Sequence, residues 1–93
     1  MQNKITKEKL EKYFSITEKA LKKTKNKIIK GKETQAKEIF QMAENYLSDA
    51  RYFESKKDFI NAFAAINYAH GWLDSGVRLD IFDVKDNKIF TIK

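Results

Sequence analysis

DFINAFAAINYAHGWLDSGVRL, residues 58–79, decides the architecture of this chain. Phe59, Ala62, Phe63, Ile66, Ala69, Leu73 and Val77 recur mostly at steps of three or four, so they share one face of an α-helix, with Ala65, Trp72 and Gly76 beside them. The strict alternation of a half-buried strand is absent. Asp58 is a good N-cap, because its carboxylate can accept a hydrogen bond from the N–H of residue 60 or 61. The pattern predicts a helix over about 58–79.

Upstream, residues 34–55 carry two interleaved seams. One is Ile39, Ala43, Tyr46, Ala50, Phe53 and the other Ala36, Phe40, Ala43, Leu47, Ala50, each stepping four and three. Two seams imply two packing partners, so this second helix is expected to have neighbours on both sides. Further upstream a helix is predicted over about 6–30. Thr6 can cap it, Ile5 and Leu10 fall at the staple positions, and Gly31 supplies a left-handed stop. Leu10, Tyr13, Phe14, Thr17, Ala20, Leu21, Thr24 and Ile28 form its core-facing stripe. The chain has no proline and only three glycines, too little punctuation for an all-β fold. Links of about three residues force antiparallel neighbours, which gives an all-α, up-down-up three-helix bundle in one domain, 1–93.

Beyond the third helix, residues 81–93, IFDVKDNKIFTIK, change character. Ile81, Phe82 and Val84 are separated from Ile89, Phe90 and Ile92 by a turn-like KDNK, which suggests an extended tail or two short strands. A lone hairpin is marginal in water, so the tail should lie against the bundle or against another chain.

Composition excludes several classes. A 93-residue chain with 42% hydrophobic residues has room for one core and none for an enclosed cofactor domain. With no cysteine, neither disulfides nor a thiolate metal cage can hold the fold. The longest uncharged run, Phe59 to Leu73, is 15 residues and contains Asn61, Asn67 and His70, whereas a bilayer span needs about 20 mostly apolar ones. No membrane partner is expected. The charged amino terminus has no apolar h-region, and a cytoplasmic location is the expectation.

The net charge of +6 is unevenly placed. Residues 1–37 hold twelve lysines against four acids, and the remainder seven basic against nine acidic side chains. On the wheel of the first helix Lys9, Lys12, Lys19, Lys23, Lys27 and Lys30 fall within about 80° of one another, a basic ridge about 30 Å long. Such a ridge would suit the phosphate backbone of nucleic acid by salt-sensitive attraction. Against that stand the bland reading of a solvated helix face, the presence of only two arginines, Arg51 and Arg78, and the lack of exposed aromatics interleaved with the lysines.

On the third helix Asn67, His70, Asp74 and Arg78 form a polar ladder at steps of three, four and four. His70 and Asp74 would serve as a base and its orienter, or as two metal ligands. Two ligands do not hold a metal, and catalysis also needs a nucleophile and a pocket, so the ladder reads as a structural edge; no catalytic residue, metal or cofactor is assigned. Ala64, Tyr68, Gly71 and Ser75 occupy the face opposite the core stripe. A mid-helix glycine costs about 1 kcal/mol relative to alanine, a cost that close approach by the tail or by a second subunit would offset. Trp72, Tyr46 and Tyr52 read as core or core-edge aromatics.

Residues 46–82, YLSDARYFESKKDFINAFAAINYAHGWLDSGVRLDIF, resemble the archaeal domain of unknown function 357 family. The likeness rests on Tyr46, Asp49, Ala50 and Phe53 on one helix, then Asp58, Ala62, Tyr68, Ala69, Gly71, Trp72, Leu73, Asp74, Gly76, Arg78 and Leu79 on the next. It implies an archaeal source and a closed three-helix bundle, and no assigned activity. Asp80 departs from the family pattern, which has a small residue there, often glycine. A weaker likeness of Asp58–Leu73 is to helical HEPN-type domains, whose ribonuclease motif of arginine followed by histidine has no counterpart here.

The sequence therefore predicts a non-enzymatic interaction module. It would present the third helix and the tail to a protein partner or to a copy of itself, through Ala64, Asn67, Tyr68, His70, Gly71, Asp74, Ser75 and Arg78. The alternative is a nucleic-acid-associated protein using the lysine ridge.

Overall fold

The structure is a computed structural model that describes residues 4–86, 88 and 90. Three helices form: α1, Lys7–Lys25; α2, Glu33–Ser55; and α3, Phe59–Arg78. Thr6 caps α1, its Oγ1 accepting from the Lys9 N–H at 3.1 Å, and Asp58 caps α3, its Oδ1 accepting from the Asn61 N–H at 3.2 Å. The helix α2 has no side-chain cap.

Both α2 and α3 end the same way. Lys57 donates its N–H to the Glu54 carbonyl and Asp58 to the Phe53 carbonyl; Asp80 donates to Val77 and Ile81 to Gly76. These are paired Schellman bonds, which require a left-handed residue just past the helix. Here the residues are Lys57 at φ 59° and Asp80 at φ 61°, neither of them glycine.

Contacts along the helices set their directions. Glu11 meets Arg51 and Lys25 meets Glu44, so α1 and α2 are antiparallel. Tyr46 stacks on Tyr68 while Ile39 lies beside Gly76, so α2 and α3 are antiparallel too. The bundle is up-down-up. The element with neighbours on both sides is α3 rather than the expected α2: α2 packs most extensively on α3, α1 packs on α3, and α1 meets α2 at few points. The reason lies in side-chain size. Seven positions of α3 are buried, Ala62, Ala65, Ile66, Ala69, Leu73, Gly76 and Val77, and four of them are alanine or glycine, which lets both neighbours come close. The Cα trace spans 44 × 23 × 17 Å, while a helix with its side chains is about 10 Å across, so the core is one layer of side chains.

The first helix stops at Lys25, five residues before the expected Lys30. Residues 27–29 instead run extended against the tail: Ile29 N–H donates to the Ile81 carbonyl at 2.9 Å, Asp83 N–H to the Lys27 carbonyl at 2.8 Å, and Ile28 and Phe82 form an antiparallel bridge. Two adjacent β-branched isoleucines suit that extended backbone better than a helix. Gly31, at φ 91°, turns the link into α2 rather than ending α1. The second seam of α2 meets the tail as well, because Phe40 stacks on Phe82 with ring centroids 5.2 Å apart.

The tail thus contributes described residues to the core. Ile81, Phe82 and Phe90 are buried together with Ala36, Ile39, Leu73 and Val77. Its expected second arm falls partly on Ile89 and Ile92, which lie outside the described residues. Gly76 is the glycine this packing requires, since a Cβ there would lie 2.7 Å from Phe82 Cδ2 and 3.0 Å from Ile39 Cδ1.

Candidate functional site

Ile60, Ala64, Tyr68, Gly71, Ser75 and Leu79 line the outer side of α3, all exposed. At about 100° per residue they fall within an arc of about 100°, facing away from the buried stripe. Four large hydrophobic residues of the described chain are exposed, and three stand on this arc: Ile60 at 70%, Tyr68 at 63% and Leu79 at 69%. Ala64, Gly71 and Ser75 stand between the large side chains along it, and the charged residue on it is Arg78 at its end. Among the described residues nothing lies within 4 Å of a Cβ built on Gly71. Tyr68 leans on Tyr46 of α2, ring centroids 5.3 Å apart. Of the core-edge aromatics expected from sequence, Tyr46 and Trp72 are half-buried against the core, but Tyr52 is 59% exposed, set edge-on to Phe53.

Three residues of the polar ladder, Asn67, His70 and Asp74, line the adjoining flank, toward α1. Asn67, His70, Gly71 and Asp74 border an open groove of about 350 Å³ with Tyr13, Ile16, Thr17 and Lys88. His70 Nδ1 is 3.0 Å from the Thr17 hydroxyl, its Nε2 is 3.8 Å from Asp74 Oδ1, and its ring packs beside Phe90. A hydroxyl, an imidazole and a carboxylate in a row have the makings of nucleophilic catalysis. Thr17 is 1% exposed as a whole residue and lies at the floor of the groove, its hydroxyl engaged by His70. In this arrangement the hydroxyl joins α1 to α3. No cluster of three His, Cys, Asp or Glu suited to a metal occurs among the described residues.

The lysine ridge is shorter than the sequence implied. Lys9, Lys12, Lys19 and Lys23 remain on α1, about 21 Å end to end, while Lys27 and Lys30 lie in the link. The tail adds what the helix loses. Lys85 and Lys88 arrive beside Lys19, Lys22, Lys23 and Lys27 around two adjoining surface hollows, the larger about 660 Å³, and Asp86 pairs with Lys23.

One grouping was missed from sequence. Arg51 of α2 reaches across to α1, with Nη1 3.0 Å from Glu11 Oε1 and 2.9 Å from Glu54 Oε1, Nη2 3.6 Å from Glu18, and its guanidinium over the Phe14 ring at 3.5 Å. A hydrogen bond with the Glu54 carboxyl, and then Arg51 itself, hold Glu11 below the usual carboxylate range. Burial opposes the Arg51 charge, yet its bonds to Glu54 and Glu11 push its pKa above the ordinary value. The signal available in sequence was that Arg51 is one of two arginines.

These features define a small helical bundle with an exposed, partly apolar outer face on α3. The chain belongs to the family described as Protein of unknown function (DUF357), whose model matches residues 12–82. That span ends at Phe82, so it includes the left-handed stop at Asp80 and the ring that closes over Gly76. No curated protein and no solved structure matches the chain. No helix among the described residues is long and apolar enough to cross a membrane.

Proposed function

We propose that this protein is a non-enzymatic interaction module of the cytoplasm that docks a protein partner on the outer face of α3. The observation that carries the reading is the exposure of Ile60, Tyr68 and Leu79 on one helix face, with Ala64, Gly71 and Ser75 between them. Large residues supply apolar area, and small ones let a partner helix come near. Ile81, Phe82 and Phe90 of the tail are buried in the core and so do not contribute to this face. The test is a photo-crosslinking residue at Ser75 in native cells, with Gln35 on α2 as the control position. A discrete adduct from Ser75 alone is expected; equal or absent crosslinking at both positions would overturn the reading.

A second reading, nucleic-acid association, is favoured by one observation: Lys85 and Lys88 of the tail join Lys19, Lys22 and Lys27. Binding of a short RNA or DNA duplex should then weaken steeply with salt, with a log–log slope of about −3 to −4 if four phosphates are neutralised. Exchange of Lys19, Lys22 and Lys27 for glutamine should flatten that slope. Indifference to salt and to the exchange would end it.

A further inference from the structure

We infer that Asp86 is a built-in competitor on the basic face, its carboxylate holding the Lys23 ammonium where a phosphate of a nucleic-acid duplex would otherwise bind. This rests on the nucleic-acid reading above and adds its regulation. The two surface hollows beside the end of α1 adjoin: Lys19, Lys22 and Lys88 border one, Lys27 and Lys85 the other, and Lys23 and Asp86 border both. Their ion pair therefore stands at the centre of the basic surface. Six lysines and two aspartates border the hollows, a surplus of four positive charges. None of the described residues bordering them is aromatic, so unpaired bases have no ring to stack on and a duplex backbone is the better fit.

The tail, not the lysine, fixes the place of the competitor. Asp86 Oδ1 accepts the Lys88 N–H at 2.9 Å, a local turn that holds the carboxylate, while Oδ2 takes the Lys23 ammonium. The Asp86 carbonyl accepts the N–H of Phe90 at 3.2 Å, and Phe90 is buried in the core. Asp86 is thus anchored, with its side chain 24% exposed, whereas Lys23 is 50% exposed on a flexible stem. The other aspartate at the hollows, Asp83, is 67% exposed and 3.9 Å from Lys85, a looser pair. An exposed ion pair is weak, so a duplex phosphate can take the Lys23 ammonium, but it must first break the pair with Asp86. Lys23 then adds little to binding until the carboxylate loses its charge.

Fluorescence anisotropy of a labelled DNA duplex of about 20 base pairs, titrated with the full chain from about 50 to about 200 mM salt, tests this. Asp86→Asn keeps an oxygen for the Lys88 N–H and removes the charge. It should bind about three- to tenfold tighter than the wild type at about 50 mM salt, with a log–log slope steeper by about 0.9, one more phosphate neutralised. Asp86→Ser, which also keeps an oxygen for the turn, should show the same change. Adding Lys23→Gln to Asp86→Asn should return the slope to that of the wild type. Asp49→Asn on α2 raises the net charge equally but lies away from the hollows, and its slope should match the wild type. Equal steepening by Asp49→Asn would show an effect of net charge alone and overturn the inference, as would tighter binding of a single strand of the same length. Salt-sensitive binding by the wild type with no change in Asp86→Asn and Asp86→Ser ends the competitor role and leaves the nucleic-acid reading standing. No binding by the wild type or by either Asp86 variant ends both.

Discussion

Gly71 and Gly76 sit five residues apart on one helix, and the same substitution should act on them in opposite directions. At Gly76 an added methyl would press on the Phe82 ring and on Ile39, both held in the core. Overpacking of this kind costs about 1–3 kcal/mol, more than the roughly 1 kcal/mol that alanine gains over glycine in a helix. Gly76→Ala should therefore lower stability by about 1–2 kcal/mol, read from the midpoint of urea unfolding. At Gly71 no atom stands in the way, and Gly71→Ala should raise monomer stability by about 0.5–1 kcal/mol. Lys57→Gly should also stabilise, by up to about 1 kcal/mol, because the left-handed backbone there strains any side chain with a Cβ. Sequence reading flagged Gly71 and placed Gly76 only beside the core stripe. A glycine's neighbours come from elsewhere in the chain, so its own helix does not reveal which one is crowded.

Among the elements, the two capped helix starts were legible because a cap is local: Thr6 and Asp58 bond groups three residues on. The end of α1 was not. Ile28 lies on the apolar stripe of a continued helix, and what draws it off is Phe82, far downstream in sequence. The same pairing makes the tail structural, so Phe82→Ala should cost about 3–5 kcal/mol, seen as a drop in thermal midpoint. The junction of α1 with α2 depends on Arg51. Glu11 has its carboxyl pKa lowered in the folded protein, so its contribution is complete above the ordinary glutamate value of about 4.3 and is lost as pH falls through the lower, folded value. The thermal midpoint of the wild type should then fall more steeply between about pH 5 and pH 3 than that of Glu11→Gln, which has no carboxylate to protonate there. Equal slopes would show that the cluster adds nothing to stability, as exposed ion pairs often do.

For the whole molecule, class and helix count followed from sequence by itself. Apolar spacing of three and four, the absence of proline and short links leave a three-helix bundle as the simplest way to bury those stripes. The polar ladder of α3 was legible too, and His70 and Asp74 do stand side by side with Asn67 at one groove. Tertiary structure decided the rest: that α3 is the central helix, that the tail closes the core, and that Lys85 and Lys88 join the basic face of α1. The division has one physical cause. Periodicity and capping act between residues within about one helical turn, so a single stretch of chain carries the information. The choice of neighbour depends on the fit of side chains far apart in sequence, and that fit exists only once the small residues of α3 have drawn both other helices and the tail against it.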